Sequence, residues 1–242
     1  MTWNIRRGGG GRLPDMMCEL QRFDADFVAL TEVTRSNLDD LQWSLNCQGF
    51  GHIETTCTGS SSKNSVLVAS KFPITPKVEE IPPADTERWL AVEIPSLALN
   101  VLAVHIPAST DKDGKSRKGR LWDEVIKYAQ LHRDQRVALL GDFNTGLQED
   151  AEGTPLAFSD RIRILRLEKY IDAWRSLNPK RREYTWYSTP PRGANPKGFR
   201  LDHIYASRAI SDQIRHAEHD HSVRLTKLSD HSIVWADIAL GG

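Results

Sequence analysis

The sequence predicts an α/β fold: a mixed β-sheet, or two sheets, with helices outside. Eight short apolar runs have the length and composition of buried strands. Three amphipathic stretches have helical spacing, and strands alternate with helices early in the chain but crowd together later.

The first strand, residues 2–5, is apolar apart from Asn4. The glycine run 8–11 reads as a turn, because it lacks the lysine and spacing of a phosphate-cradling P-loop. Residues 13–23 place Leu13, Met16, Met17 and Leu20 on one helical face. Strand 27–30 leads into Thr31-Glu32, and Ser36 is placed to cap a helix over 37–45. Strands follow at 65–69, 89–94 and 99–105. Residues 109–119 read as a polar, glycine-bearing loop. Leu121, Val125, Tyr128 and Leu131 then define the apolar face of a helix over 120–132. Strand 137–140 runs into Gly141-Asp142-Phe143-Asn144, residues 188–198 form a second polar loop, and strands at 201–206 and 233–238 complete the set.

The chain of 242 residues reads as one domain over 1–242, with no linker or repeat. Its 39% apolar share supports a core, and no apolar run reaches the ~20 residues of a membrane span. The N-terminal residues lack a secretory pattern, and Cys18, Cys47 and Cys57 form neither a disulfide framework nor a thiolate zinc site. A cytoplasmic monomer is the expectation. The formal net charge is zero, unlike that of a general polyanion binder. The basic charge is nevertheless clustered. Residues 112–120 hold five basic residues against one acid, and residues 175–200 hold seven against one. Such runs are solvated loops or phosphate-binding loops.

Several polar groups sit where strands end. Asp142 closes an apolar strand, where poor solvation raises a carboxylate's pKa and makes it a base. The same residues also suit a plain Asx turn. An extended chain would point Asn144 the same way. Ser229-Asp230-His231 offers an adjacent carboxylate and imidazole beside the last strand, or simply a polar loop. Asp202 lies inside an apolar run and so needs a partner, for which His231 is suited. Glu32 repeats the pattern of a carboxylate at a strand end. His216, His219 and His221 lie close in sequence, but their acidic neighbours and the absence of an i, i+4 pair argue against a zinc site.

Taken in order, Trp3-Asn4-Ile5, Thr31-Glu32, Val104-His105-Ile106-Pro107, Gly141-Asp142-Phe143-Asn144, Leu201-Asp202-His203-Ile204 and Ser229-Asp230-His231 resemble the endonuclease/exonuclease/phosphatase family over residues 2–240. The resemblance implies a four-layer α/β sandwich: two mixed β-sheets face to face, helices outside, and the site at one edge. It implies Glu32 as the main metal ligand, supported by Asn4 and Asp230, for Mg²⁺ or Mn²⁺, which hard oxygen ligands suit. It makes Asp142 the group that orients or deprotonates the attacking water, and Asn144 a positioner of phosphate and nucleophile. His231 would contact the scissile phosphate, Asp202 would hold His231, and His105 would protonate or stabilise the leaving oxygen.

Two positions depart from the exonuclease III and abasic-site endonuclease branch. His105 stands in place of its usual tyrosine, and Thr31 in place of the Gln before the glutamate. Tyr184-Thr185-Trp186-Tyr187 followed by Gly198-Phe199-Arg200 leans back toward that branch. Strand alternation puts Trp186 and Tyr187 on opposite faces, so one of the two faces the site. The implied activity is a metal-dependent DNA nuclease, endonuclease or 3′ exonuclease and repair-related, with DNA ahead of RNA as partner. Arg35, Lys115, Arg117, Lys118, Trp186, Tyr187, Arg192 and Lys197 are its substrate-binding candidates. The alternative is a phosphatase or phosphodiesterase acting on a lipid head group, phosphosugar or nucleotide. A catalytically dead binding module is disfavoured by the intact residue set.

Overall fold

A computed structural model describes residues 1–59, 64–78, 83–110, 113–153 and 156–241. The chain begins β1 (Thr2–Asn4), α1 (Leu13–Gln21), β2 (Phe27–Val33), α2 (Leu38–Cys47), β3 (His52–Thr55), β4 (Ser65–Ser70) and β5 (Thr75–Pro76). Next come β6 (Trp89–Ile94), β7 (Leu99–His105), α3 (Gly114–Leu131), β8 (Arg136–Asp142), α4 (Ser159–Leu167), β9 (Ile171–Asp172) and α5 (Ala173–Leu177). It ends β10 (Trp186–Tyr187), β11 (Gly198–Phe199), β12 (Asp202–Ala206), α6 (Arg208–Ser211), β13 (Ile214–Asp220), α7 (Ser222–Leu225) and β14 (Ile233–Ile238).

Two mixed six-stranded sheets form, ordered β13-β14-β1-β2-β4-β3 and β5-β6-β7-β8-β12-β9. The parallel pairs are β1–β2 and β7–β8, each joined by a helical crossover. Three apolar clusters define the layers. Ala29, Val68, Val101, Leu140 and Ile204 pack between the sheets. Trp3, Met16, Leu30 and Leu41 bind α1 and α2 to the outer face of the first sheet. Leu102, Trp122, Val125, Leu139 and Leu165 bind α3 and α4 to the outer face of the second. This is the expected four-layer sandwich. Strands covered on both faces must be apolar on both, which is why all of β4 and β7 is buried.

Each expected strand is present, but the helix over 120–132 begins earlier, at Gly114. Part of the expected loop 109–119 is therefore its first turns, while Lys112 falls outside the described residues. Leu131, expected on the apolar face, is 66% exposed. Ser36 does not cap α2: its hydroxyl donates to Asn37 Oδ1, and Asn37 is the cap residue. The edge strands β3, β5, β9 and β13, strand β11 and helices α4 to α7 lie outside the expected elements, while β10 falls where strand alternation was expected at Trp186 and Tyr187. No helix among the described residues is long and apolar enough to cross a membrane.

Candidate active site

Strand register assembles the site. In the second sheet His105 of β7 lies opposite Asp142 of β8, which lies opposite Asp202 of β12. Laterally paired residues share a face of the sheet. The three side chains therefore form a row at one sheet edge. Gly141 permits that row to close: at φ 140°, a Cβ there would lie 1.9 Å from the Val104 carbonyl oxygen.

The first sheet supplies the facing half. Asn4 ends β1, and its Nδ2 donates both to Glu32 Oε1 and to Asp142 Oδ2, each at 3.0 Å. One amide thus ties the two sheets together through two carboxylates. Glu32 adopts φ 58° where the β2–β4 pairing slips between Leu30 and Val33. Such a bulge re-aims a side chain toward a site. The other Glu32 oxygen accepts from the Arg7 amide at 2.9 Å, and Asn4 Oδ1 accepts from the Arg6 amide at 2.9 Å.

The loop before β14 brings His231. Its Nδ1 is 2.9 Å from Asp202 Oδ2, which also accepts from the Thr185 hydroxyl at 2.6 Å. The opposite ring nitrogen faces Asp142 Oδ2 at 4.0 Å. His105 Nε2 approaches the same oxygen at 3.9 Å. Asp142, Asp202 and His231 each have a donor atom within 4.8 Å of the others. Ser229 holds the loop, donating from Oγ to the Asn4 carbonyl at 2.6 Å and accepting from the His231 amide at 3.2 Å.

Burial and neighbouring charge divide the protonation states. Burial, then the charge of Asp202, pushes Asp142 up to about 7. Burial alone would lower His231, but Asp202 overrides it and holds the imidazole up at about 10. Burial and the Arg88 guanidinium press His105 well below the ordinary histidine value. At neutral pH the row contains a poised carboxylate, an imidazolium and a neutral imidazole.

Other residues assume roles different from those expected. Asn144 does not continue an extended chain. It sits at φ 47°, donates its backbone N–H to Asp142 Oδ1 at 2.9 Å and its Nδ2 to the Ile106 carbonyl at 2.9 Å. It orients the carboxylate through a left-handed turn. Lys118 is no solvated phosphate contact. It is 1% exposed, and its ammonium donates to the Asn144 carbonyl. Burial lowers it to about 8, against the charge of Asp142. Arg117 pairs with Asp85, Arg35 with Asp39 at 3.5 Å, and Lys115 is exposed on α3. Trp186 faces the site: its Nε1 is 3.4 Å from Asp230 Oδ2 and its ring 6.4 Å from that of His231. Tyr187 points away, beneath Arg224. Arg192 and Lys197 are exposed in the turn between β10 and β11.

Thr185, Arg88 and Ser229 support the site without having been singled out by sequence, although Thr185 and Ser229 lay inside quoted motifs. Asp230 sits at the rim, 40% exposed, with Oδ1 3.7 Å from Arg6 Nε.

The oxygens of Glu32, Asn4 and Asp230 are hard donors that suit Mg²⁺ or Mn²⁺. Asp202 Oδ1 is buried without a hydrogen-bond partner among the described residues, so the group of Asp142, Asp202 and His231 carries uncompensated acceptor capacity. The residues fit a divalent cation.

Residues 1–231 match the model of the endonuclease/exonuclease/phosphatase family. Among solved structures, an AP endonuclease from Archaeoglobus fulgidus superposes with a TM-score of 0.83 at 20% identity, covering 98% of this chain and 97% of that one. A 3′ phosphatase from Neisseria bound to a product DNA hairpin gives 0.80 at 20% identity, covering 98% and 97%. The APE2 catalytic domain of Xenopus laevis gives 0.71 at 21% identity, covering 98% and 90%.

Proposed function

Since the chain belongs to the endonuclease/exonuclease/phosphatase family, we propose that it is a divalent-metal-dependent phosphodiester hydrolase acting on DNA, as a repair-type endonuclease or 3′ exonuclease. The carrying observation is the alignment of His105, Asp142 and Asp202 across three strands, with His231 held by Asp202 and with Asn4 joining Asp142 to Glu32. Neighbours named for AP endonuclease activity and for a DNA product favour DNA over a lipid head group, phosphosugar or nucleotide.

The chemistry follows from the row. Water attacks phosphorus in line with the leaving oxygen; a new P–O bond forms as the ester P–O bond breaks. Asp142 accepts the water's proton through Oδ2, the oxygen both histidines face, while Asn4 and the Asn144 amide hold the carboxylate in place. The His231 imidazolium donates to a phosphoryl oxygen as charge develops there, and Asp202 fixes its tautomer and charge. His105 stands against the same carboxylate, and the leaving alkoxide takes up a proton from solvent water. Glu32 and Asn4, with Asp230 at the rim, would hold Mg²⁺ or Mn²⁺, which when bound neutralises phosphate charge and polarises the phosphorus centre. Trp186 and the exposed Arg192 and Lys197 lie on the hairpin that would receive the bases and backbone.

The test is cleavage of plasmid, abasic duplex, recessed 3′ ends, RNA, bis-p-nitrophenyl phosphate and inositol phosphates with Mg²⁺. Turnover of a DNA substrate well above all small phosphoesters supports the reading. A preference for a small phosphoester would replace DNA as the substrate.

A further inference from the structure

Behind the site lies a second constellation, independent of the phosphodiester-cleaving reading. His219, near the end of β13, and His221, just past it, converge on Glu183, which precedes β10. His219 Nδ1 is 3.2 Å from Glu183 Oε2, and His221 Nε2 is 3.4 Å from the same oxygen. A donor atom from each residue lies within 4.8 Å of the others. We infer that Glu183, His219 and His221 form a zinc-class metal site that fastens the β10 segment to β13 and β14. His216, grouped with these histidines in sequence, is not part of the set; Glu183, distant in sequence, completes it.

The geometry suits that ion. Tetrahedral bonds of about 2.0–2.1 Å place neighbouring ligand atoms roughly 3.3 Å apart. Both separations from the shared Glu183 oxygen match that spacing. Two imidazoles and one carboxylate favour zinc over magnesium, which seeks oxygens alone. The outer contacts orient the ligands. His221 Nδ1 lies 2.8 Å from the Ser232 hydroxyl, leaving Nε2 to face Glu183. His219 is stacked on Trp174 at 4.5 Å and 20° between planes, so its ring is fixed. Arg181 engages the other Glu183 oxygen, Oε1, leaving Oε2 to the imidazoles. The His221 side chain is 29% exposed and gives the ion an entry path.

The placement gives the site a consequence. Glu183 lies two residues before Thr185, whose hydroxyl anchors Asp202, and three before Trp186. Ser232 follows His231 and donates its amide proton to the Thr185 carbonyl. A metal here therefore braces the segments that present His231 and Trp186 from the side away from substrate.

The test uses the full chain in excess Mg²⁺, which fills the carboxylate centre. Zinc affinity is measured by competition with a chromophoric chelator, and cobalt is added as a spectroscopic probe. Wild type and Glu32→Gln should each bind one zinc tightly and show the intense visible bands of four-coordinate cobalt. His221→Ala should weaken zinc by at least about a hundred-fold, and Ser232→Ala by roughly ten- to a hundred-fold, the usual cost of a lost outer contact. Zinc should raise the melting temperature of wild type and not that of His221→Ala. Equal affinity in wild type and His221→Ala, or tight binding lost in Glu32→Gln alone, overturns the site. If His221→Ala does not fold, the wild-type spectrum decides: faint six-coordinate cobalt bands alone refute the proposal.

Discussion

Arg200 makes a sharp test of how β12 is held in register. It is 1% exposed and grips two buried acids: Nε and Nη2 meet Asp150 at 2.9 and 3.1 Å, and Nη2 meets Asp172 at 2.8 Å. Arg200→Met preserves volume but leaves both carboxylates without their main cation. Breaking a buried ion pair from one side costs about 3–5 kcal/mol. Arg175 still meets Asp150 at 2.7 Å and His203 still meets Asp172 at 3.2 Å, so the low end, about 3 kcal/mol, is expected. At this chain length that lowers Tm by roughly 6–12 °C. The pH dependence carries the proof. Against the burial that would raise them, Arg200 holds Asp150 and Asp172 below the ordinary carboxylate range. Their stabilisation is therefore complete above the unfolded carboxylate value, about 4, and is lost as pH falls below it. In the variant burial is opposed only by Arg175 at Asp150 and by His203 at Asp172, so both groups rise relative to wild type and the folded state takes up protons earlier. Urea unfolding at pH 7.5 and pH 4 should show the gap between wild type and variant closing at the lower pH. A gap under about 1 kcal/mol at pH 7.5, or one independent of pH, would refute this account. Cleavage well below the variant's Tm should persist within a few-fold, because Asp202 keeps Thr185 and His231 as partners.

Exhaustive chelation should abolish cleavage and Mg²⁺ or Mn²⁺ should restore it; full activity in chelator would sink the metal-dependent mechanism. Asp142→Asn and His231→Ala should each lower kcat by roughly two orders of magnitude or more with the far-ultraviolet spectrum unchanged, and near-wild-type turnover in either would mean the site is misassigned. Arg192→Ala with Lys197→Ala should weaken duplex binding and reduce the salt slope by about 0.9 per lost phosphate contact, while bis-p-nitrophenyl phosphate hydrolysis stays constant. The contrasting substitution is Lys118→Met: it should leave the salt slope unchanged and lower kcat, since the buried ammonium faces Asn144 rather than solvent.

What made the site legible is that its residues interrupt apolar strands. Burial on both faces demands long apolar runs, so Asn4, Asp142 and Asp202 stand out against them as polar groups with no packing reason to be there, and the family resemblance adds His105 to them. The same contrast fails at the edges. In β13, Arg215 and His216 are exposed between Ile214 and Ala217, with half-buried Glu218 after them, and this strand resembles a polar loop until β14 pairs with it. It fails again on α3, where the buried position of the first turns is filled by Lys118, a residue every hydropathy pattern assigns to water. Its aliphatic stem packs while its charge finds a carbonyl, an arrangement fixed by α3 lying over the Asn144 turn rather than by any local preference. Glu32 shows the limit from the other direction. Its identity was readable, but its direction depends on a bulge and a left-handed backbone that only the β2–β4 pairing imposes. Thr185 and Glu183 complete the case. Neither was singled out for a role, yet the hairpin beginning at Trp186 carries one to Asp202 and the other to two histidines more than thirty residues away in sequence. Strand composition thus marks Asn4, Asp142 and Asp202 as buried polar groups, the family resemblance adds His105 and the proposed roles, and the groups that orient them are chosen by which edges and loops the sheets bring against them.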